Sequence, residues 1–465
     1  MIGGQIRRST RLVGVLAAFG TVVAASATVA AAGDSTRVTA SSDGVIEVPS
    51  EVATIQAAVD AAAPGDLILI EPGVYHEAVD VTTDELTIRG LDRDGVVLDG
   101  EFELDNGIRV LGASGVTLEN LTVQNYSTNG IFWTGVDGFR GSYLTAIRNQ
   151  LYGIYAFDSQ HGVIEHSYAA GSGDGGFYVG QCYPCHTLVQ DVVAEYNGIG
   201  FSDADAGGDL LVVDSTFRRN RVGVLIGSHT YELCYPQREA TVVGNLVYEN
   251  DVATTAAIDL ARLAMGNGIV VAGGIGNRIE RNRIWGHDRT AIAIIPNPEN
   301  EPNDDMPTRE QCDLTCAESR DLPLADPLPE LNLWQPYDNR VIGNVMSESG
   351  HVDLAVASPA ADLPTFGNCA SANDYTATAP TALESLAPCD GDAGDGDWAD
   401  GAYDIIGWLD AFDSSPEGVP YEDAELPPLP ALEDMPDAAT APAAPAVDLP
   451  PAVDVDAIVV PPLPD

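Results

Sequence analysis

The sequence predicts one large all-β domain, a single-stranded parallel β-helix (solenoid) of about 10–12 coils closed by an N-terminal capping helix. Three observations carry this expectation. A Gly-aliphatic word recurs at near-constant spacing, Asn and Asp recur at fixed offsets from it, and no helical period runs through the repeats.

The word appears as Gly107-Ile108, Gly130-Ile131, Gly153-Ile154 and Gly176-Phe177, each 23 residues after the last. Gly200-Phe201 follows after 24 and Gly223-Val224 after 23. Gly268-Ile269 comes 45 later, read as two coils, and Ala291-Ile292 after a further 23. An aliphatic precedes Asp191, Asp214, Asn245, Asn282 and Asn344 by three positions, and Leu118 precedes Asn120 by two. Asn149, Asn197, Asn220 and Asp288 come shortly before the next word. These residues tolerate left-handed backbone and suit the turns between short strands. Stacked coils pair their strands at about 4.8 Å, with Asn ladders and aliphatic stacks inside. Residues 54–61 (TIQAAVDA) read as a short amphipathic helix over the open end of the stack, which would otherwise expose unpaired strand edges. Residues 67–70 (LILI) follow as the first strand.

Residues 1–32 read as an export signal: Arg7, Arg8 and Arg11, an apolar run from Leu12 to Ala25, and a small-residue cleavage site at Ala30–Ala32. A linker over 33–44 leads to the β-helix, 45–375, with insertions at 252–266 and 296–332. An acidic extension, 376–412, and a Pro/Asp-rich tail, 413–465, expected to be disordered, complete the chain. No later segment holds 18 continuous apolar residues, so the mature protein is expected outside the cell and not in a membrane.

Of 465 residues 70 are Asp or Glu and 21 are Arg, with no Lys, for a net charge of −49. Three Arg and no acid lie in residues 1–32, so signal cleavage leaves 18 − 70 = −52. That charge repels nucleic acid and anionic membrane. The absence of Lys removes lysine bases and Schiff-base chemistry. Seven Cys in an exported chain point to disulfides. Cys312/Cys316 and Cys369/Cys389 are plausible local pairs, Cys182 and Cys185 are further candidates, and one of the seven is left over. The word Cys182-Tyr183-Pro184-Cys185-His186 has the spacing of a haem attachment site, but it falls inside a continuous coil and is read as a structural disulfide or a pair of buried thiols.

Thr54–Ala58, Pro64-Gly65-Asp66, Pro72-Gly73-Val74-Tyr75 and the Gly-Ile coils resemble the pectate-lyase-like superfamily of right-handed parallel β-helices, and within it secreted bacterial β-helix-repeat proteins of unassigned activity. The resemblance spans roughly residues 45–375. It implies right-handed coiling and a polysaccharide or cell-surface glycan as partner. It does not fix an activity, because the superfamily holds lyases, hydrolases, esterases, epimerases and non-catalytic members. Residues 155–161 (YAFDSQH) look like the Tyr-Gly-Phe-Asp-Pro-His element of mannuronan C5-epimerases, with Ala156 for the Gly, Ser159-Gln160 for the Pro and no Lys to complete the site.

Strand alternation assigns faces. The residues after the anchor glycines point inward, and the next ones outward: Arg109, Phe132, Tyr155, Tyr178, Ser202 and Leu225. Phe132, Tyr155 and Tyr178, with Arg109 beside them, form an expected sugar-binding ladder. Asp158 and Asp205 sit two coils apart, about 10 Å by strand spacing, near the upper limit for an inverting carboxylate pair. His229 is the matching proton-transfer group. Asp203, Asp205 and Asp209 have acidic spacing suited to a hard cation such as Ca²⁺, though they lack the full calcium-loop pattern. The expected function is therefore polysaccharide interaction, as a lyase or glycoside hydrolase. The alternative is a non-catalytic extracellular scaffold that binds a partner through its loops.

Overall fold

The computed structural model describes residues 44–464 except 360–361 and 446–448; the signal segment 1–32 and residues 33–43 of the linker lie outside the described residues. From Val45 to Ala379 the chain winds as stacked coils, each contributing short parallel strands to three rows. The first row includes Leu67–Ile70, Thr87–Gly90, Gln160–Glu165, Thr187–Gln190 and Arg238–Val243. The second includes Tyr168–Ala170, Val193–Glu195 and Thr216–Arg218. The third carries the repeated words, with Ile108, Ile131, Ile154, Phe177, Phe201, Val224, Ile269, Ile292 and Leu354 in one register. All of these are fully buried and fill the lumen, as their alternation predicted.

The anchor glycines are set by close stacking. A Cβ on Gly107 would lie 2.5 Å from the Gly130 carbonyl, and one on Gly153 would lie 2.6 Å from that of Gly176. No side chain fits where successive coils approach so closely. Asn side chains carry the stack at two corners. Asn282 Nδ2 donates to Asn344 Oδ1 at 3.0 Å, while Asn282 Oδ1 accepts from Asn245 N and Nδ2, both at 3.0 Å. Asn197, Asn220 and Asn250 form the second ladder. His287 continues it, its Nδ1 accepting from Asn250 N. Burial pushes that imidazole down to about 4, so it is neutral at neutral pH. Asp191 and Asp214 hold φ of 50° and 47° at exposed corners, as turn residues should.

One count is corrected. The 45-residue step from Gly223 to Gly268 is a single coil, because Val224 pairs directly with Ile269. The extra chain leaves the stack as a loop over 228–237 and as residues 251–266, which include a helix, Asp259–Leu263. Insertion 296–332 forms most of a hairpin whose antiparallel arms are Asn297–Asn300 and Leu331–Trp334.

The first coil and part of the outer third row are covered. Helix Ile55–Ala61, N-capped by Thr54, buries Ile55, Ala58 and Val59 over the first coil. Helices Asp259–Leu263 and Ile405–Asp410 seal the far half of the outer third row, where Leu225, Val270 and Ala293 pack with Trp408. The tail expected to be disordered lies back along the coils. It has almost no regular structure of its own, yet Arg side chains bond its carbonyls and small apolar side chains seat it.

Candidate functional site

The outward row of the third sheet runs Asp80, Arg109, Phe132, Tyr155, Tyr178, Ser202 and Leu225 in register. The aromatic ladder therefore exists. Phe132 and Tyr155 have ring centroids 4.8 Å apart, and Tyr155 and Tyr178 4.5 Å. Tyr152 stacks on Tyr155 at 4.4 Å, and Phe157 on Tyr155 at 5.7 Å. Phe132, Tyr152 and Phe157 are half-buried, whereas Tyr178 is buried beneath the 228–237 loop and donates its hydroxyl to Glu232. Arg109 extends the row but is held by Asp80 through bonds of 2.7 and 2.9 Å.

Beside the ladder lies a group of buried and half-buried acids. Asp205 is fully buried and pairs with His229 Nδ1 at 3.0 Å, while accepting from His229 N at 3.2 Å. Burial lowers the His229 pKa, but Asp205, Glu232 and Glu299 outweigh it and bring the imidazole up to about 9. Desolvation raises Glu232 to about 8 and Asp174 to about 7, and it raises Asp205 as well. Tyr152 lies beside Asp174, while Tyr178 bonds Glu232. The loop that supplies His229 and Glu232 is fixed at several points. Thr230 donates to Glu299 from N at 2.7 Å and from Oγ1 at 2.6 Å, Trp334 Nε1 donates to Glu299 at 2.8 Å, and Leu233 N donates to Gln181 at 2.8 Å.

Asp158 does not join this group. Asp158, Gln181 and Asp205 occupy one corner of successive coils, all with positive φ. Asp158 instead turns to the insertion and ion-pairs with Arg320. That pair lies in an adjoining cleft of about 490 Å³, lined also by Asp137, Gln160, Gln181, Tyr183 and Ala317. The expected Asp158/Asp205 pairing is corrected on this ground.

The cation trio is corrected too. Asp203 stands in the inward row between Val179 and Ile226, where its carboxylate accepts from Gln237 Nε2 at 2.9 Å. Asp209 lies past the Gly207–Gly208 bend, exposed and 3.2 Å from His186. The three carboxylates thus point three ways, and no metal-holding group of three or more His, Cys, Asp or Glu occurs among the described residues.

The described residues form three disulfides. Cys182–Cys185 and Cys369–Cys389 agree with expectation. Cys316 pairs with Cys234, not Cys312, because the insertion folds onto the 228–237 loop; Cys312 is left as a buried thiol. Cys316 N also donates to Tyr183 O at 3.0 Å, so the two Cys-Tyr-Pro words share one loop cluster. Among the described residues no helix is long and apolar enough to cross a membrane.

Sequence reasoning missed Asp174, Glu232 and Tyr152. Asp174 stands just before an anchor pair of glycines, and Glu232 lies in the stretch taken for an extra coil.

No curated protein matches the chain in sequence. Among solved structures it is similar to the A-module of mannuronan C-5 epimerase AlgE6 from Azotobacter vinelandii, at 16% identity over 73% of this chain and 97% of that one, with a TM-score of 0.47. It is also similar to an alginate lyase from Paenibacillus sp. str. FPU-7, at 14% identity over 51% and 87% of the two chains, with a TM-score of 0.33. A third similar structure is the catalytic domain of a GH87 alpha-1,3-glucanase, at 12% identity over 71% and 69%, with a TM-score of 0.40. Residues 106–297 match the family model described as the right handed beta helix region. The fold of the chain is the right-handed parallel β-helix.

Proposed function

We propose that the chain is an extracellular polysaccharide-cleaving β-helix that works on the outer side of its third sheet. The observation behind this reading is the group of buried Asp174 and Asp205 with half-buried His229 and Glu232, shifted from ordinary protonation beside a half-open aromatic wall. Acids displaced by burial next to an apolar surface are a common feature of catalytic sites. Sugar rings would lie against Phe132, Tyr152 and Phe157, and the polymer would continue into the cleft at Asp158 and Arg320. Glu232 keeps its proton at neutral pH and is the acid for the leaving glycosidic oxygen. Asp174, half-ionised near neutrality, is the base. His229 is cationic, is oriented by Asp205, and offsets negative charge that develops on the substrate.

The test is digestion of neutral and acidic polysaccharides, with and without Ca²⁺, read by mass spectrometry. Unsaturated ends would identify elimination and saturated ends hydrolysis. Saturable binding without any product would replace this reading with the non-catalytic scaffold, and absence of both would remove the third sheet as a glycan surface.

A further inference from the structure

The outer face of the first sheet carries a second, separate feature. Its outward positions include Arg89, Glu119, Leu188, Val213, Val243 and Glu280. Residues 433–445 and 449–464 lie over this face and the corner beside it. Arg89 is almost fully buried, bound to Glu119 at 2.7 Å, and its remaining N–H groups donate to the carbonyls of Ala438, Ala441 and Pro442 at 3.4, 2.7 and 2.9 Å. Arg93 donates to the Glu433 carbonyl at 3.0 Å, and its own N–H reaches Asp434 at 2.7 Å. Asn120 Oδ1 accepts from Met435 N at 2.7 Å, and Thr87 Oγ1 from Ala444 N at 2.9 Å. Further along, Arg281 donates to the Val455 carbonyl at 2.9 Å and Arg283 to that of Pro461 at 2.6 Å. Val453, Val455 and Ile458 cover Leu188, Val213 and Val243.

Two features set this apart from ordinary core packing. Arg93 and Arg283 form no ion pair among the described residues, in a chain of net charge −49; tail carbonyls are among their acceptors. The occupant is read almost wholly through its backbone, with short apolar side chains in a shallow seat. Residues 413–465 hold 13 Pro, which favour an extended chain that keeps its carbonyls free to accept. Forked donors, an apolar strip and an extended Pro-rich occupant make up a peptide-recognition surface.

We propose that the outer face of the first sheet is a binding groove for an extended, proline-rich peptide, and that residues 433–445 and 449–464 are its occupant in cis. The tail is then a strap held by replaceable contacts. No described disulfide ties it down, and the only regular piece among its described residues over this face is the turn Val455–Ala457. A peptide of the same character, from a second chain or another protein, competes for the same donors. This inference is independent of the third-sheet site.

The test uses the full chain with Val455→Asp and Ile458→Asp, which place charge in the apolar seat. Hydrogen exchange of 449–464 should speed up about tenfold or more. A fluorescently labelled synthetic peptide of residues 449–464 should then bind the variant saturably, at least about tenfold tighter than it binds the native chain. Adding Arg283→Ala to the variant should remove most of that gain. Arg283→Ala alone, which touches only the last anchor, should speed exchange of 459–464 without moving the melting temperature. Unchanged exchange of the tail, or a freed tail with no gain in peptide binding, overturns the proposal. So does a freed face that takes up a polysaccharide and ignores the peptide.

Discussion

Replacing Glu232 by Gln should make the protein more stable at alkaline pH while removing the proposed polysaccharide cleavage. The carboxyl is held up to about 8 by burial, against an ordinary 4.5. The folded state therefore binds its proton more tightly than the unfolded chain does. Stability from this group is full below pH 4.5 and falls as pH rises toward 8. At 1.36 kcal/mol per tenfold step, the whole effect is at most about 5 kcal/mol. Water entry and coupling to His229 reduce it, so about 2 kcal/mol is expected at pH 8.5. Gln keeps an oxygen to accept from the Tyr178 hydroxyl and never ionises. Thermal melts should coincide at pH 5 and differ by about 3 °C at pH 8.5, with the Gln form higher. The same variant, unable to give up a proton, should lose about a hundredfold or more in polysaccharide cleavage. Equal melting at both pH values, or a less stable Gln form at pH 8.5, would refute the buried-acid account of this site.

Asn282→Ala should cost about 3–5 kcal/mol in denaturant unfolding, because it strands the Asn245 N–H and the Val242 carbonyl inside the stack; a loss below about 1 kcal/mol would show that the ladder is not structural. His287 has its pKa lowered to about 4, so the native state binds fewer protons than the unfolded one and stability is lost as pH falls from 6.5 through 4. His287→Asn should flatten that acid limb in melts between pH 4 and 7. Cys234→Ser should leave the coils folded while freeing the 301–330 loop to protease, since Cys316 loses its tether.

The coil architecture was legible because its constraint is periodic. Each glycine word marks a place where the next carbonyl leaves no room for Cβ, and each inward aliphatic repeats on schedule. The ladder of Phe132, Tyr155 and Tyr178 followed from the same register. Asp203 could have been placed from its own strand: it shares parity with inward Phe201 and so belongs to the lumen, not to a cation loop. Glu232 was not legible, because it lies where the chain leaves the repeat, and a 45-residue step gives no sign of whether it holds two coils or one coil and a loop. The Cys234–Cys316 bridge was hidden for the same reason, being 82 residues long and made between two insertions. The tail misled through composition. Pro and Asp exclude a core of their own, but they do not prevent extended chain from being held by arginines that other segments supply.

The most direct test of the central claim incubates the full chain, and its Glu232→Gln form, with a panel of neutral and acidic polysaccharides and follows released oligosaccharides by mass spectrometry. The account predicts product from at least one polymer with the native chain, and about a hundredfold less with the Gln form at equal polymer binding. Product formed equally by both forms, or no product from any polymer, would contradict it.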